Sequence, residues 1–234
     1  MADLRHQRKW KVEVGADETT ALFEPAAARS SGALFVCAHG AGGHMADHGM
    51  VQVAEALQGI GLATVRFNFL YRESGGRRPD PMPRLQACFS AVVERARREI
   101  RPPVLLIGGR SMGGRAASML AAEGYSCDGL LLLAYPLHPA GQPEKLRDAH
   151  LERIPVPVLC FNGTRDSLCR QDLMELVVRR LNPTWTMHWL DGADHGFHVT
   201  KASGRSDSDV LAEIAGASRD WLGQWPRSQD EGGC

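Results

Sequence analysis

Ser111, Asp166 and His195 have the side-chain types that nucleophilic acyl transfer requires, and they follow one another in a usable order. A serine hydroxyl is a poor nucleophile until a base removes its proton, and an imidazole acts as that base when a carboxylate fixes its tautomer. Ser111 lies in Gly109-Arg110-Ser111-Met112-Gly113, a Gly-x-Ser-x-Gly run. Such a run is often only a glycine-rich corner, so its setting decides. The apolar stretch Val104 to Ile107 precedes it, and the Ala-, Met- and Leu-rich stretch Met112 to Ala122 follows. A buried strand is therefore expected to turn sharply into a helix at Ser111. There the Ser is strained, its hydroxyl stands above the sheet, and glycines avoid a β-carbon collision. The helix N-terminus behind it offers unpaired N–H groups to a developing oxyanion.

The order Ser, Asp, His is the one expected for a nucleophile on such an elbow. Asp166 closes the Gly163-Thr-Arg-Asp166 turn after an apolar strand, which projects its carboxylate over the sheet edge. It competes with a simpler role as helix N-cap. Asp191 and Asp194 share a loop with the His and are poorly placed to reach its far nitrogen. His195, in Asp194-His195-Gly196, is the more compact presentation than His198, which reads as a supporting or surface residue. His39 reads as a structural ring bonded to local backbone, and His188 as a half-buried packing residue in mid-strand. His44 and His48 flank Asp47 without a third ligand at usable spacing, so no metal site is expected.

A second glycine-rich stretch, His39-Gly40-Ala41-Gly42-Gly43, follows the apolar strand Ala33 to Ala38. A tetrahedral oxyanion needs two backbone donors, one after the nucleophile and one from a neighbouring strand's loop. Met112 and Ala41 are the expected donors, with Gly42 as the alternative to Ala41. Neither Gly-x-Gly-x-x-Gly nor a P-loop pattern occurs here, which weighs against a phosphate cradle. Arg66 and Arg110 lie beside this region, where they either meet an acidic substrate or pair with local carboxylates. Gly42, Arg110, Phe69, Tyr71, Leu137 and His138 are the candidate pocket residues.

The elements that carry these groups alternate. Trp10 to Val14 suits an edge strand, with Thr19 to Phe23 paired across Gly15-Ala-Asp17. Strands are expected at Ala33 to Ala38, Leu62 to Phe67, Val104 to Ile107, Asp128 to Ala134, Val156 to Phe161 and Trp185 to Leu190. Helices are expected at Val51 to Leu57, Leu85 to Ile100, Met112 to Ala122, Asp172 to Leu181 and Ser206 to Trp225. Arg72 to Pro83, with three prolines and Gly75-Gly76, reads as a mobile loop. Alternating strands and helices imply a mostly parallel, doubly wound α/β sheet covered on both faces, with its site at the carboxyl strand ends. Residues 1–9 read as an N-terminal arm, 10–225 as one domain and 226–234 as a flexible tail.

The 234 residues balance 27 Lys and Arg against 27 Asp and Glu, which argues against a nucleic-acid surface built on net charge. Met1 to Trp10 lacks the apolar core of a secretory signal, and no stretch approaches the ~18 apolar residues of a membrane span. Cys37, Cys88, Cys127, Cys160, Cys169 and Cys234 form no Cys-x-x-Cys pair and read as reduced, so a cytoplasmic location is expected.

These motifs in this order resemble the α/β-hydrolase superfamily over the chain from about Trp10 to Trp225. Gly108-Gly-Arg-Ser-Met-Gly-Gly114, Tyr135-Pro-Leu-His138, Lys145-Leu-Arg-Asp148 and Gly-Thr-Arg-Asp166 are similar to a small cap-less branch. That branch includes a testis-expressed protein and the third subunit of the non-specific lethal histone acetyltransferase complex. It is related to dienelactone hydrolase, which uses a Cys where this chain has Ser111. The resemblance implies a triad of Ser111, Asp166 and His195, oxyanion donors Ala41 and Met112, and no large cap domain. The expected activity is hydrolysis of a small carboxylic ester or thioester without a cofactor, by a monomer or homodimer that binds neither nucleic acid nor membrane. The alternative from another class is a non-catalytic module that keeps the fold to bind a protein; a peptidase is a third reading that no loop supports.

Overall fold

The computed structural model describes residues 6–225. The chain runs β1 (Arg8–Val14), β2 (Asp17–Glu24), β3 (Ala33–Ala38), α1 (His48–Gln58), β4 (Ala63–Phe67) and α2 (Leu70–Glu73). It continues through α3 (Met82–Ile100), β5 (Val104–Arg110), α4 (Met112–Ala122) and β6 (Gly129–Leu133). The last elements are β7 (Val158–Gly163), α5 (Gln171–Val178), β8 (Trp185–Leu190) and α6 (Asp207–Gly223). The strands form one eight-stranded sheet in the order β1-β2-β4-β3-β5-β6-β7-β8. β1 and β2 are antiparallel and β2 meets β4 antiparallel; every pairing from β4 through β8 is parallel.

The central strands are buried along their whole length because helices cover both faces. Successive residues still alternate between two cores, as the pleat demands. Leu34, Val36, Ile107, Leu130, Leu132 and Cys160 face one side, where they meet Leu85, Phe89 and Val92 of α3, Ala116 and Leu120 of α4, and Met174 of α5. Phe35, Leu106, Leu131, Leu133 and Phe161 face the other, against Val53 and Leu57 of α1 and Val210, Ile214 and Trp221 of α6. Residues 134–157, between β6 and β7, hold only a single 3-10 turn, Leu151–Arg153. No cap is inserted there.

Several boundaries differ from the sequence expectation. β1 takes up Arg8 and Lys9, so the segment expected as an arm contributes to the sheet; residues 226–234, with Cys234, lie outside the described residues. The stretch 72–83 is not a plain loop. Leu70–Glu73 form a short helix, and α3 already starts at Met82, with Pro83 in its first turn. Proline suits that position because the first helical N–H groups have no partner to lose and φ is preset. Among the described residues, no helix is long and apolar enough to cross a membrane.

Candidate active site

Ser111 is the hinge between β5 and α4. Its φ of 51° and ψ of −114° place it in a region that non-glycine residues rarely occupy. It stands at the N-cap of α4, yet its hydroxyl makes no capping bond. A serine there ordinarily accepts an N–H from its own helix; here Oγ instead lies 3.0 Å from His195 Nε2. The strained turn is held by Ser111 N–H donating to Leu133 O at 2.8 Å. The flanking glycines are needed for space. A β-carbon on Gly109, whose φ is 141°, would sit 2.2 Å from Ala38 O, and one on Gly113 would sit 2.5 Å from the same oxygen. The helix start thus lies directly against the end of β3.

Asp166 follows β7 in a turn closed by its own N–H donating to Gly163 O. Both carboxylate oxygens reach His195 Nδ1, Oδ2 at 2.8 Å and Oδ1 at 2.9 Å. The Asp166 side chain is fully buried while that of His195 is 26% exposed. The pair therefore has its anion inside and its imidazole at the solvent-facing end, beside Ser111. Asn162 and Leu168 orient the acid: Asn162 Nδ2 donates to Oδ2 at 3.1 Å and the Leu168 N–H to Oδ1 at 2.8 Å. Asn162, buried at the end of β7, also accepts the Tyr135 N–H and donates to Tyr135 O. Sequence reasoning passed over Asn162; a lone buried amide near the end of a strand gives no motif to find.

The loop 39–43 is strapped from several sides. His39 is fully buried, donates through Nδ1 to Gly40 O at 2.7 Å and accepts the Phe69 N–H at Nε2. Burial lowers its pKa to about 4, against the opposing pull of the Gly40 carbonyl. Gly43 N–H also donates to Gly40 O, and Tyr71 OH donates to Ala41 O at 2.7 Å. Asn68 Oδ1 accepts the Met45 N–H. Among the described residues, the N–H groups of Ala41, Gly42 and Met112 donate to nothing. Gly40 lies close to Ser111, since a β-carbon on it would be 3.5 Å from Ser111 Cβ.

The other expected residues fall elsewhere. Phe69 and Leu137 have no accessible surface, and His138 is 2% exposed, with its ring spent on Pro139 O and the Arg170 N–H. They are core residues and line no open pocket, contrary to the expectation. Tyr71 is buried, and its hydroxyl holds the 39–43 loop through Ala41 O. Arg66 is buried in a bidentate pair with Glu24 and a bond to Met45 O, so it is occupied by local groups. Arg110 Nη2 donates to the main-chain oxygen of His195 at 3.1 Å, with no carboxylate in ion-pair range among the described residues. His198 pairs with Asp207 at 2.7 Å on the surface, and Asp194 accepts the Gly196 and His198 N–H groups rather than the His195 ring. His188 adds to its packing on Phe161 a bond to Glu213 at 2.8 Å. His44 pairs with Asp47 at 2.9 Å.

A family model described as an alpha/beta hydrolase domain matches residues 31–223, and the chain belongs to that family. Solved structures repeat the fold at low identity. An alpha-beta serine hydrolase homologue from Coxiella burnetii is 17% identical, over 93% of this chain and 98% of that one, with a TM-score of 0.73. A serine hydrolase without lid from Xanthomonas campestris is 20% identical, over 94% and 97%, with a TM-score of 0.74. Dienelactone hydrolase from Anabaena variabilis is 20% identical, over 95% and 99%, with a TM-score of 0.71.

Proposed function

We propose that this member of the alpha/beta hydrolase family is a serine hydrolase that cleaves a small carboxylic ester or thioester through an acyl-enzyme on Ser111. The observation that carries the reading is the continuous contact from Ser111 Oγ to His195 Nε2 at 3.0 Å and from His195 Nδ1 to Asp166 at 2.8 Å. The likeness to proteins described as serine hydrolases and esterases supports it. The finer placement in the cap-less branch named above belongs to the same proposal.

In the first half-reaction His195 Nε2 takes the Ser111 proton as Oγ bonds to the acyl carbon. The carbonyl oxygen becomes an oxyanion between the N–H groups of Met112 and Ala41, with Gly42 as the alternative to Ala41. Loss of one such donor typically costs ~10²–10³ in rate. The intermediate expels an alkoxide or thiolate, which receives the proton from His195. Water then attacks the acyl-Ser111 ester, again with His195 as base, and releases the carboxylic acid. Asp166 holds the Nδ1–H tautomer and balances the imidazolium charge throughout. No cofactor is required.

The test is labelling with a fluorophosphonate, read by mass spectrometry of the modified peptide. Attachment at Ser111 that is absent in Ser111→Ala and weak in His195→Ala supports the proposal. A folded wild-type protein that fails to label would remove it. A panel of p-nitrophenyl esters then ranks acyl length.

A further inference from the structure

We infer that Arg110, the residue immediately before Ser111, is a positioning residue that clamps the loop carrying His195 to the strand carrying Ser111. The inference rests on the proposed roles of Ser111 and His195. It concerns how their distance is held.

His195 has no helix or strand of its own. It hangs in the segment 191–198 after β8, at the edge of the sheet, whereas Ser111 stands on β5 in the middle. The segment is folded on itself as a tight turn: Asp194 Oδ1 accepts the N–H groups of Gly196 and His198, and Phe197 N–H donates to Asp194 O. Such a turn keeps its own shape but not its distance from β5. Its anchors on the β7 side include the Arg165 N–H to Ala193 O, Arg165 Nη1 to Gly192 O, the Gly192 N–H to Thr164 Oγ1 and the Asp166–His195 pair. Toward β5, the hydrogen bonds among the described residues are those of the imidazole and of Arg110.

Arg110 is the last residue of β5, fixed by its register opposite Leu133 of β6. Its Nη2 donates to the main-chain oxygen of His195 at 3.1 Å, and its guanidinium carbon lies 5.7 Å from the centre of the Phe197 ring. Phe197 presents that ring from a left-handed backbone, φ 66°, so the turn is strained in the conformation that meets the guanidinium. A planar cation that both donates to a carbonyl and stacks on an aromatic face is a task for which Arg is better suited than Lys. Room for it comes from Gly49 in the first turn of α1, where a β-carbon would sit 2.8 Å from Nη1. Burial disfavours the charge, while Asp194, Asp47 and Asp166 favour it at longer range. The bond goes to the backbone, so it fixes the loop while leaving the imidazole free to exchange protons.

Because no carboxylate pairs with Arg110, the competing role is reception of an anionic substrate group. The experiment separates the two. Arg110→Met, Arg110→Gln and Arg110→Lys are compared with wild type in thermal unfolding, fluorophosphonate labelling rate, and kcat and KM for neutral and carboxylate-bearing p-nitrophenyl esters. Clamping predicts that Arg110→Met lowers kcat and the labelling rate by about 10–100-fold on both ester classes, with KM for the neutral ester unchanged. Arg110→Lys, which keeps a charge and a donor, recovers part of the rate. A folded Arg110→Met that labels at the wild-type rate overturns the inference. So does a loss confined to KM of the carboxylate-bearing ester, or equal losses in the Lys and Met variants. If Arg110→Met does not fold, Arg110→Gln is read by the same criteria. Wild-type protein that fails to label would instead sink the serine-hydrolase reading, so the two failures are distinct.

Discussion

Asp166 meets His195 with both carboxylate oxygens, at 2.8 and 2.9 Å from Nδ1, while Asn162 and the Leu168 N–H hold those same oxygens from behind. An amide at position 166 preserves the shape but presents an N–H to the ring and stabilises the wrong tautomer. Asp166→Asn is therefore expected to fold normally and to lose roughly 10³–10⁴-fold in kcat. A variant within tenfold of wild type would show that another group orients the imidazole.

Removing the brace behind the acid should act on stability as well as rate. Asn162→Ala leaves the buried Tyr135 N–H without its partner, while Tyr135 O keeps the Leu137 N–H. Each unsatisfied buried group costs about 1–3 kcal/mol. The expected result in urea unfolding is a clear fall in midpoint, with a smaller loss of kcat than Asp166→Asn. An unchanged midpoint would mean that the Tyr135 N–H finds another partner.

The elbow has no spare volume. A β-carbon on Gly113 would stand 2.5 Å from Ala38 O and 2.7 Å from His39 O, both backbone atoms that cannot rotate away. Gly113→Ala must push α4 off the end of β3, a change in the class that destabilises by roughly 3 kcal/mol or more. Gly216 on the outer helix α6 has open space at the same test position, so Gly216→Ala is the control. Thermal unfolding of the two variants should separate them widely; similar values would contradict the tight approach.

His39 makes the protein acid-sensitive. Burial first, opposed by its bond to Gly40 O, takes its pKa from 6.5 to about 4. The unfolded chain thus binds a proton below pH 6.5 that the native state refuses. The stabilisation is fully present above pH 6.5 and is lost as pH falls toward 4. For a ring with no accessible surface, this amounts to about 3 kcal/mol over that window. His150, lowered to about 4 chiefly by burial and also by Arg115, acts in the same direction. The check is imidazole nitrogen NMR, in which His39 should keep a single neutral tautomer down to about pH 4. Titration near 6.5 would refute it.

Much of this architecture was legible because its signals are local. The run Val104 to Ile107, the two glycines and the Ala-rich stretch after Ser111 together specify a strand, a turn and a helix without reference to anything distant. Trp185 to Leu190 shows its strand as an apolar block ending at a turn, and its observed limits are the same. The residues misread are those whose partners are far away in sequence. Phe69 is a pocket candidate by sequence, but its ring packs edge-on to His39 and Phe67 in the core. His138 likewise spends both nitrogens on backbone, one of them on Arg170. Nothing within Tyr135-Pro-Leu-His138 shows which side of the strand end it faces. The three prolines of 72–83 read as loop residues, but proline also begins helices, and Pro83 lies in the first turn of α3.

The strand order carries an implication for how such a protein diversifies. From β5 to β8 the sheet advances three strand spacings, about 14 Å at the usual interstrand distance. Ser111, Asp166 and His195 follow β5, β7 and β8 in the chain, and none of them follows β6. The segment 134–157 that leaves β6 therefore opens over the middle of this row without bearing any of them. Insertions or deletions beyond His138 in that segment can change what lies over the row while the contacts of Tyr135 with Asn162 stay in place. A lineage of this fold would be expected to record its changes of diet in that one interval.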